Sequence, residues 1–377
     1  MGAPMNIMLA GGGTGGHVYP ALALAEAFQR HDPATRLVFV GSGGGMEARL
    51  VPASGIPFVG LAVRPPRSLA PLRVAWSGAT AVLSLGQAVG AVARFRPAAV
   101  IATGGIAALP PVLAAAVLNA PVVVLEGNAV PGRTNRILAR YSRVVAVASE
   151  AAASRLPAGR TAVTGLPVRR EVLAATRDDG LRAFGLAPDR RTVLVVGGSQ
   201  GAARLNRAVE EAVGRLAPRR DLQILHQIGR GWSGAAPDRP APARADGVGY
   251  VRLPYLERIG AAYACADLVV SRCGANALAE ITACGLPSIL VPYPYAADDH
   301  QSHNAAPLVA AGAASLLRDE ALTGEALAGE ITALVDAPPR LRAMAAASRG
   351  QGRPDAAERI VALVERIAHP VREEVCG

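Results

Sequence analysis

The chain has 377 residues, half of them hydrophobic, with 4% aromatics and a formal net charge of +10; at roughly 100–200 residues per domain, this length fits two domains with a core each. All 39 basic residues are arginine, which excludes a lysine Schiff base, a lysine nucleophile and a Walker A loop with its obligatory lysine. Cys265, Cys273, Cys284 and Cys376 form no C-x-x-C pair and no Cys/His cluster, so neither zinc nor a disulfide scaffold is indicated, and free thiols fit the cytoplasm.

In chain order, Met1–Ala10 reads as a short tail running into a strand, without the features of a signal peptide. Apolar runs at Ile7–Ala10, Leu37–Val40, Ala99–Ala102, Val122–Leu125 and Val144–Val147 predict buried parallel strands. Helical patterns such as Val18–Arg30 and Pro111–Leu118 fall between them. Val74–Ala93 is 20 residues without a charge, diluted by Ser77, Gly78, Thr80, Ser84, Gly86, Gln87 and Gly90; it predicts a helix packed on a sheet or dipping into a membrane surface. The strand–helix pattern restarts at Thr192–Val196 and continues through Leu222–Leu225, Asp267–Val270 and Ser288–Val291. Two successive βαβ series predict two doubly wound α/β domains, with the join near Gly165-Leu166-Pro167-Val168 and a proline-rich loop at Ser233–Gly247. The last helix, about 355–368, carries an apolar stripe of Ile360, Leu363, Val364 and Ile367 that must be buried, a return onto the first domain being one solution.

Each domain opens with a strand and a glycine-rich loop: Gly11-Gly12-Gly13-Thr14-Gly15-Gly16-His17, and Gly197-Gly198-Ser199-Gln200-Gly201. Such loops bring backbone N–H groups and a helix N-terminus to a phosphate. One alone is equally a tight strand-to-helix turn; two opening similar domains point to a ligand cleft between them. The net charge favours anionic lipid headgroups or a phosphorylated substrate, and the few aromatics disfavour nucleic acid.

After the two glycine loops, Glu126-Gly127-Asn128, Gly165–Arg169, Ser271–Ala275 with Glu280, and His300-Gln301 fall in an order and spacing that resemble the motifs of the MurG-type peptidoglycan glycosyltransferases. Gly12-Gly13-Thr14-Gly15-Gly16-His17 with Pro20 resembles that family's opening loop. Glu126-Gly127-Asn128 with Pro131-Gly132 and Asn135 resembles its second acceptor-domain motif, and Gly165-Leu166-Pro167-Val168-Arg169 its linker. Gly197–Gly201 with Asn206, Ser271-Arg272-Cys273-Gly274-Ala275 with Glu280 and Gly285-Leu286-Pro287, then His300-Gln301 with Asn304-Ala305, resemble its donor-domain motifs. The resemblance runs from about residue 6 to 360. Gly127, Leu166 and Cys273 replace the glutamine, asparagine and serine or alanine usual there, and Thr103–Ala108 lacks the usual aromatic and serine.

The resemblance implies a GT-B fold, two Rossmann-like doubly wound domains facing an interdomain cleft. Residues 1–165 would form the acceptor and membrane-associated domain, with about 350–377 packing back on it, and 166–349 the UDP-sugar donor domain. The implied activity is inverting transfer of N-acetylglucosamine (GlcNAc) from UDP-GlcNAc to undecaprenyl-pyrophosphoryl-MurNAc-pentapeptide. The implied partners are those two substrates and anionic inner-membrane lipids, at the cytoplasmic face. By position, Thr14, Gly15, Gly16, His17 and Asn128 face the acceptor side and the reacting centre, with His17, Glu126 and Asn128 as the catalytic candidates, and Arg169 and Ser199 contact the diphosphate. Leu256 flanks the uracil. Ala275, Asn276, Ala277, Leu278 and Ala279 hold ribose and sugar, Glu280 binds the ribose hydroxyls and Gln301 the sugar hydroxyls. His17 is the candidate base and Glu126 its competitor. No Asp-x-Asp motif is present, so no metal and no cofactor are expected; Arg169 and loop amides would steady the leaving diphosphate. Alternatives are another GT-B UDP-sugar enzyme, such as a lipid glycosyltransferase or a UDP-GlcNAc 2-epimerase, a dehydrogenase, and a lipid-binding module. A dehydrogenase would want an acidic ribose ligand where Leu37–Val40 runs into Gly41-Ser42. A lipid-binding module would have no use for Glu280 and Gln301 in sugar-reading positions.

Overall fold

The computed structural model describes residues 5–63, 71–198, 202–232 and 247–368, with the backbone alone for 71–78. The chain divides into two compact units. One is Met1–Arg169 with Asp355–Gly377, the other Arg170–Pro354.

The first unit is built on a seven-stranded sheet: β1 Asn6–Gly11, β2 Arg36–Ser42, β3 Phe58–Leu61, β4 Ala99–Gly104, β5 Val122–Glu126, β6 Val144–Val147 and β7 Thr161–Val163. The spatial order is β3-β2-β1-β4-β5-β6-β7 and every pairing is parallel. Ile7, Met8, Leu9 and Ala10 are all fully buried, because a central parallel strand is covered on both faces and reads as a continuous apolar run. The order reverses between β1 and β4, so the C-terminal ends of those strands open at a switch point, where doubly wound sheets bind ligands.

The second unit repeats the plan with six strands: β8 Arg191–Val196, β9 Leu222–Gln227, β10 Gly249–Leu253, β11 Leu268–Ser271, β12 Ser288–Leu290 and β13 Ala314–Leu316. Their order is β10-β9-β8-β11-β12-β13, again all parallel. Its switch point lies between β8 and β11. Val193, Val195, Leu205, Val209, Leu268, Val270 and Leu327 form its core.

All nine predicted strands are present. The four further strands, β3, β7, β10 and β13, are the edges of the two sheets. Three of them, β7, β10 and β13, mix polar with apolar residues, because an edge strand is paired on one side only and needs no uninterrupted hydrophobic run. The uncharged stretch lies in a 25-residue helix, Pro71–Phe95, that packs against the helix Leu109–Val117. Among the described residues, no helix is long and apolar enough to cross a membrane. The last helix, Ala356–Ala368, packs on the helix Gly15–His31 of the first unit, burying Ala357, Ile360, Val361 and Val364. Leu363 and Ile367 of the expected stripe are only half-buried. His31 Nε2 lies 2.8 Å from Glu365 Oε1, and Arg30 pairs with Glu358.

Candidate active site

At the switch point of the first unit, β1 ends in Gly11 and the chain turns through Gly12 (φ 148°) and Gly13 (φ 86°) before the helix starts at Gly15. At φ 86° an L side chain is strained, so the turn at Gly13 requires glycine. The Thr14 carbonyl accepts the His17 and Val18 amides. His17 Nδ1 is 2.9 Å from the Gly12 carbonyl oxygen and 3.3 Å from Thr14 Oγ1. A carbonyl oxygen can only accept, so Nδ1 carries the proton and Nε2 keeps its lone pair in the neutral ring. The ring rests on the end of β4. A Cβ at Gly104 would lie 2.9 Å from His17 Cδ2 and 3.0 Å from Nε2, and one at Gly105 would overlap the Gly12 carbonyl.

Beneath this loop lies a carboxylate that the motifs did not reveal. Glu47 is fully buried; its Oε2 accepts the Gly13 amide and its Oε1 the Ser42 amide, each at 3.0 Å. At the end of β5, Glu126 is also buried, and all its lone pairs are engaged. Oε1 accepts the backbone and side-chain amides of Asn128 at 2.8 and 3.2 Å, and Oε2 those of Gly132 and Asn135, both at 2.9 Å. A carboxylate offers about four acceptor positions, so Glu126 ties down the 126–135 loop and has none left for a substrate proton. The Arg169 guanidinium lies 4.5 Å over the Tyr19 ring, whose edge packs under Gly15. Arg169 therefore stands beside the first glycine loop.

In the second unit, β8 runs into Gly197 and Gly198 (φ 92°), and Gln227 Nε2 donates to the Gly198 carbonyl at 3.0 Å. Ser199 lies outside the described residues. The next helix, Ala203–Arg215, is anchored through Asn206, which donates to the Ile228 carbonyl at 2.8 Å and accepts from His226 Nε2 at 3.1 Å. His226 Nδ1 in turn accepts from the Tyr250 hydroxyl at 2.9 Å. Burial, and then Arg252, push the His226 pKa down to about 3, so this interior imidazole is neutral.

β11 delivers Ser271-Arg272-Cys273-Gly274 to the head of the helix Ala275–Ala283. Arg272 is a buried strut, 2.7 Å from Asp319 and 3.0 Å from the Pro292 carbonyl. The Cys273 thiol is buried and pushed up to about 12 by that burial, which makes it a neutral filler. Gly274 supplies no side-chain cap, and the N-terminus of this helix carries partial positive charge. Leu278 turns into the core, while Ala275, Asn276, Ala277, Ala279 and Glu280 stay half-buried. Glu280 Oε2 accepts the hydroxyl of the buried Tyr263 at 3.1 Å. Gln301 Oε1 accepts the Cys273 and Tyr293 amides at 2.9 and 3.0 Å, and no hydrogen bond from its Nε2 is formed among the described residues. Leu256 has its side chain buried, so any contact with a base there runs through its backbone. Among the described residues no cluster of His, Cys, Asp and Glu could hold a metal ion.

Comparison with known proteins gives the chain a family. The glycosyltransferase family 28 N-terminal domain matches residues 7–147 and the family's C-terminal domain matches 192–360. A Desulforudis audaxviator protein is 41% identical over 370 residues, spanning 97% of this chain and 99% of its own. It is named UDP-N-acetylglucosamine–N-acetylmuramyl-(pentapeptide) pyrophosphoryl-undecaprenol N-acetylglucosamine transferase. A Lactiplantibacillus plantarum protein of the same name is 38% identical over 364 residues, 96% of this chain and 99% of its own. The chain belongs to glycosyltransferase family 28. Among solved structures, Acinetobacter baumannii MurG superposes with a TM-score of 0.73 at 31% identity, covering 96% of this chain and all of that one. The Neisseria meningitidis UDP-GlcNAc 2-epimerase bound to UDP-GlcNAc shares the fold at a TM-score of 0.65 but is 13% identical. Within this family 28 chain, sequence motifs pointed to the strand-end loops but missed Glu47, Tyr19 and Tyr263. Each is far in sequence from the residue it supports or lacks a motif of its own; the one signal near Glu47 was the preceding Gly43-Gly44-Gly45.

Proposed function

We propose that this chain is an inverting glycosyltransferase that moves GlcNAc from UDP-GlcNAc to the undecaprenyl-pyrophosphoryl muramyl pentapeptide of peptidoglycan synthesis. The carrying observation is the near end-to-end identity, about two residues in five, with enzymes bearing that name. Unit one is read as the acceptor unit and unit two as the donor unit. His17 Nε2 takes the proton of the acceptor hydroxyl as that oxygen bonds the anomeric carbon and the bond to UDP breaks. Thr14, Gly15, Gly16 and Asn128 orient the acceptor. Arg169 and Ser199, with the amides at the head of Ala275–Ala283, stabilise the diphosphate as its charge develops. Ala275, Asn276, Ala277, Leu278 and Ala279 line the ribose and sugar, with Leu256 at the uracil. Glu280 binds the ribose hydroxyls and Gln301 donates to the sugar. Glu126, saturated by four donors, is assigned to holding Asn128 and not to proton transfer, which revises its candidacy as catalytic base. A donor panel with a soluble acceptor analogue, run with EDTA present, tests the reading. UDP-GlcNAc is expected to be preferred with inversion at the anomeric carbon. Epimerised UDP-sugar without transfer, or an absolute requirement for a divalent cation, would refute it.

The acceptor is a lipid, and we place the protein peripherally on the cytoplasmic face of the membrane, docked through Pro71–Phe95. That helix exposes Val82 (74%), Leu83 and Leu85, an apolar surface with Arg94 and Arg96 at its end. Arg64, Arg67 and Arg73 precede the uncharged stretch in sequence; the first two lie outside the described residues, as does the side chain of Arg73. Each arginine near an anionic surface contributes about 1 kcal/mol. Flotation with anionic vesicles is expected to carry the protein, and Val82→Asp with Leu83→Asp to reduce recovery severalfold. Equal recovery on neutral and anionic vesicles would remove the electrostatic part.

A further inference from the structure

The amide that Glu47 holds and the carbonyl that His17 holds belong to one peptide group. Gly13 N–H donates to Glu47 Oε2, and the Gly12 oxygen, across the same C–N bond, accepts from His17 Nδ1–H. We propose that Glu47 is a positioning residue for His17, acting through the Gly12–Gly13 peptide to fix the tautomer that leaves Nε2 able to take a proton. The inference rests on the assignment of His17 as base and adds the group that keeps it in that form.

Three observations carry it. First, Glu47 is fully buried and has no ion pair among the described residues. Backbone amides of Gly13 and Ser42 satisfy its charge. Burying a carboxylate without a cation is costly, and filling this space needs only an apolar side chain. Second, the backbone is cleared around it. A Cβ at Gly12 or Gly45 would overlap the carboxylate, and one at Gly41 would lie 2.9 Å from Glu47 Cγ. Third, the peptide group is delocalised. A carboxylate on its N–H draws electron density toward the carbonyl oxygen, which strengthens that oxygen's grip on Nδ1–H. A serine-protease triad has the same logic with the carboxylate directly on the imidazole; here one peptide group is interposed. During transfer the acceptor proton moves to Nε2, Nδ1–H stays on the Gly12 oxygen, and Glu47 neither gains nor loses a proton.

The test is ¹⁵N NMR of histidine-labelled protein, with His17 assigned by its absence in His17→Asn. Neutral His17 is expected to be protonated at Nδ1. In Glu47→Gln, an NH₂ faces one of the two backbone amides, and the Nε2-protonated form is expected to appear. With it, kcat should fall on the order of 10–100-fold, by analogy with the loss when the outer partner that orients a metal-ligating histidine is removed, while the KM for UDP-GlcNAc stays within about twofold. If Glu47→Gln does not fold, Glu47→Asp keeps the charge, shortens the arm and is read the same way. Either of two results would overturn the proposal: a native His17 protonated at Nε2, or a folded Glu47 variant whose His17 tautomer is unchanged. The two proposals fail separately. A near-normal His17→Asn ends the base assignment even if the tautomer follows Glu47. An inactive His17→Asn whose native tautomer ignores Glu47 ends only this inference.

Discussion

His17→Ala is expected to lower kcat by roughly 10²–10⁴-fold, the contribution typical of a positioned general base. UDP-GlcNAc affinity should be nearly unchanged, because the residues assigned to the donor nucleotide and sugar, Leu256, the 275–280 segment and Gln301, belong to the second unit. The fall should be in kcat and in kcat/KM for the acceptor alike, the pattern for an interaction made only in the transition state. The more discriminating variant is His17→Asn. The asparagine side chain still bears an N–H that can reach the Gly12 carbonyl, so it preserves the loop bond that Nδ1 makes, yet it offers no basic nitrogen. A residue whose work is capping the loop tolerates that change; a base does not. Near-normal kcat in a folded His17→Asn would end the assignment. Glu126 is no direct substitute, because its four acceptor positions are filled.

Glu280→Ala is expected to weaken UDP and UDP-GlcNAc binding together. Each hydrogen bond to a charged group is worth about 1.5–3 kcal/mol, so one lost ribose contact corresponds to roughly 10–150-fold in Kd. Tyr263 sharpens the experiment. Its buried hydroxyl donates to Glu280 Oε2 at 3.1 Å and so helps to orient the carboxylate. Tyr263→Phe should give a smaller loss in the same direction, and the double variant should lose little more than Glu280→Ala, since residues in one hydrogen-bonded network are not additive. Titration calorimetry reads all three. Unchanged UDP affinity in folded Glu280→Ala would remove Glu280 from the donor site and reopen the role of the whole 275–280 segment.

Some of this was decided by the linear chain. A strand covered on both faces must be apolar throughout, so Ile7–Ala10 or Thr192–Val196 declares itself without reference to neighbours. A strand-to-helix turn that brings amides near an anion must shed side chains, so the glycine loops at 11–16 and 197–201 are visible as runs of one residue type. The same local logic leaves Ser271–Glu280 legible as a strand end feeding a helix head. Other features are set by tertiary structure alone. The edge strands Phe58–Leu61 and Gly249–Leu253 exist because a neighbour offers its unpaired backbone groups, and their residues do not announce it. Glu126 and Glu280 both stand in recognisable motifs. Yet the four donors to Glu126 come from its own loop, while the Tyr263 hydroxyl reaches Glu280 from 17 residues away, and neither partnership is written in its motif. Glu47 and His17 lie 30 positions apart and meet across a single peptide bond, because β1 and β2 are adjacent parallel strands that deliver their C-terminal loops to the same end of the sheet. Hydrogen-bond partnership depends on where the strand ends arrive in space, so the chemistry of a carboxylate or an imidazole is settled only when the sheet is assembled.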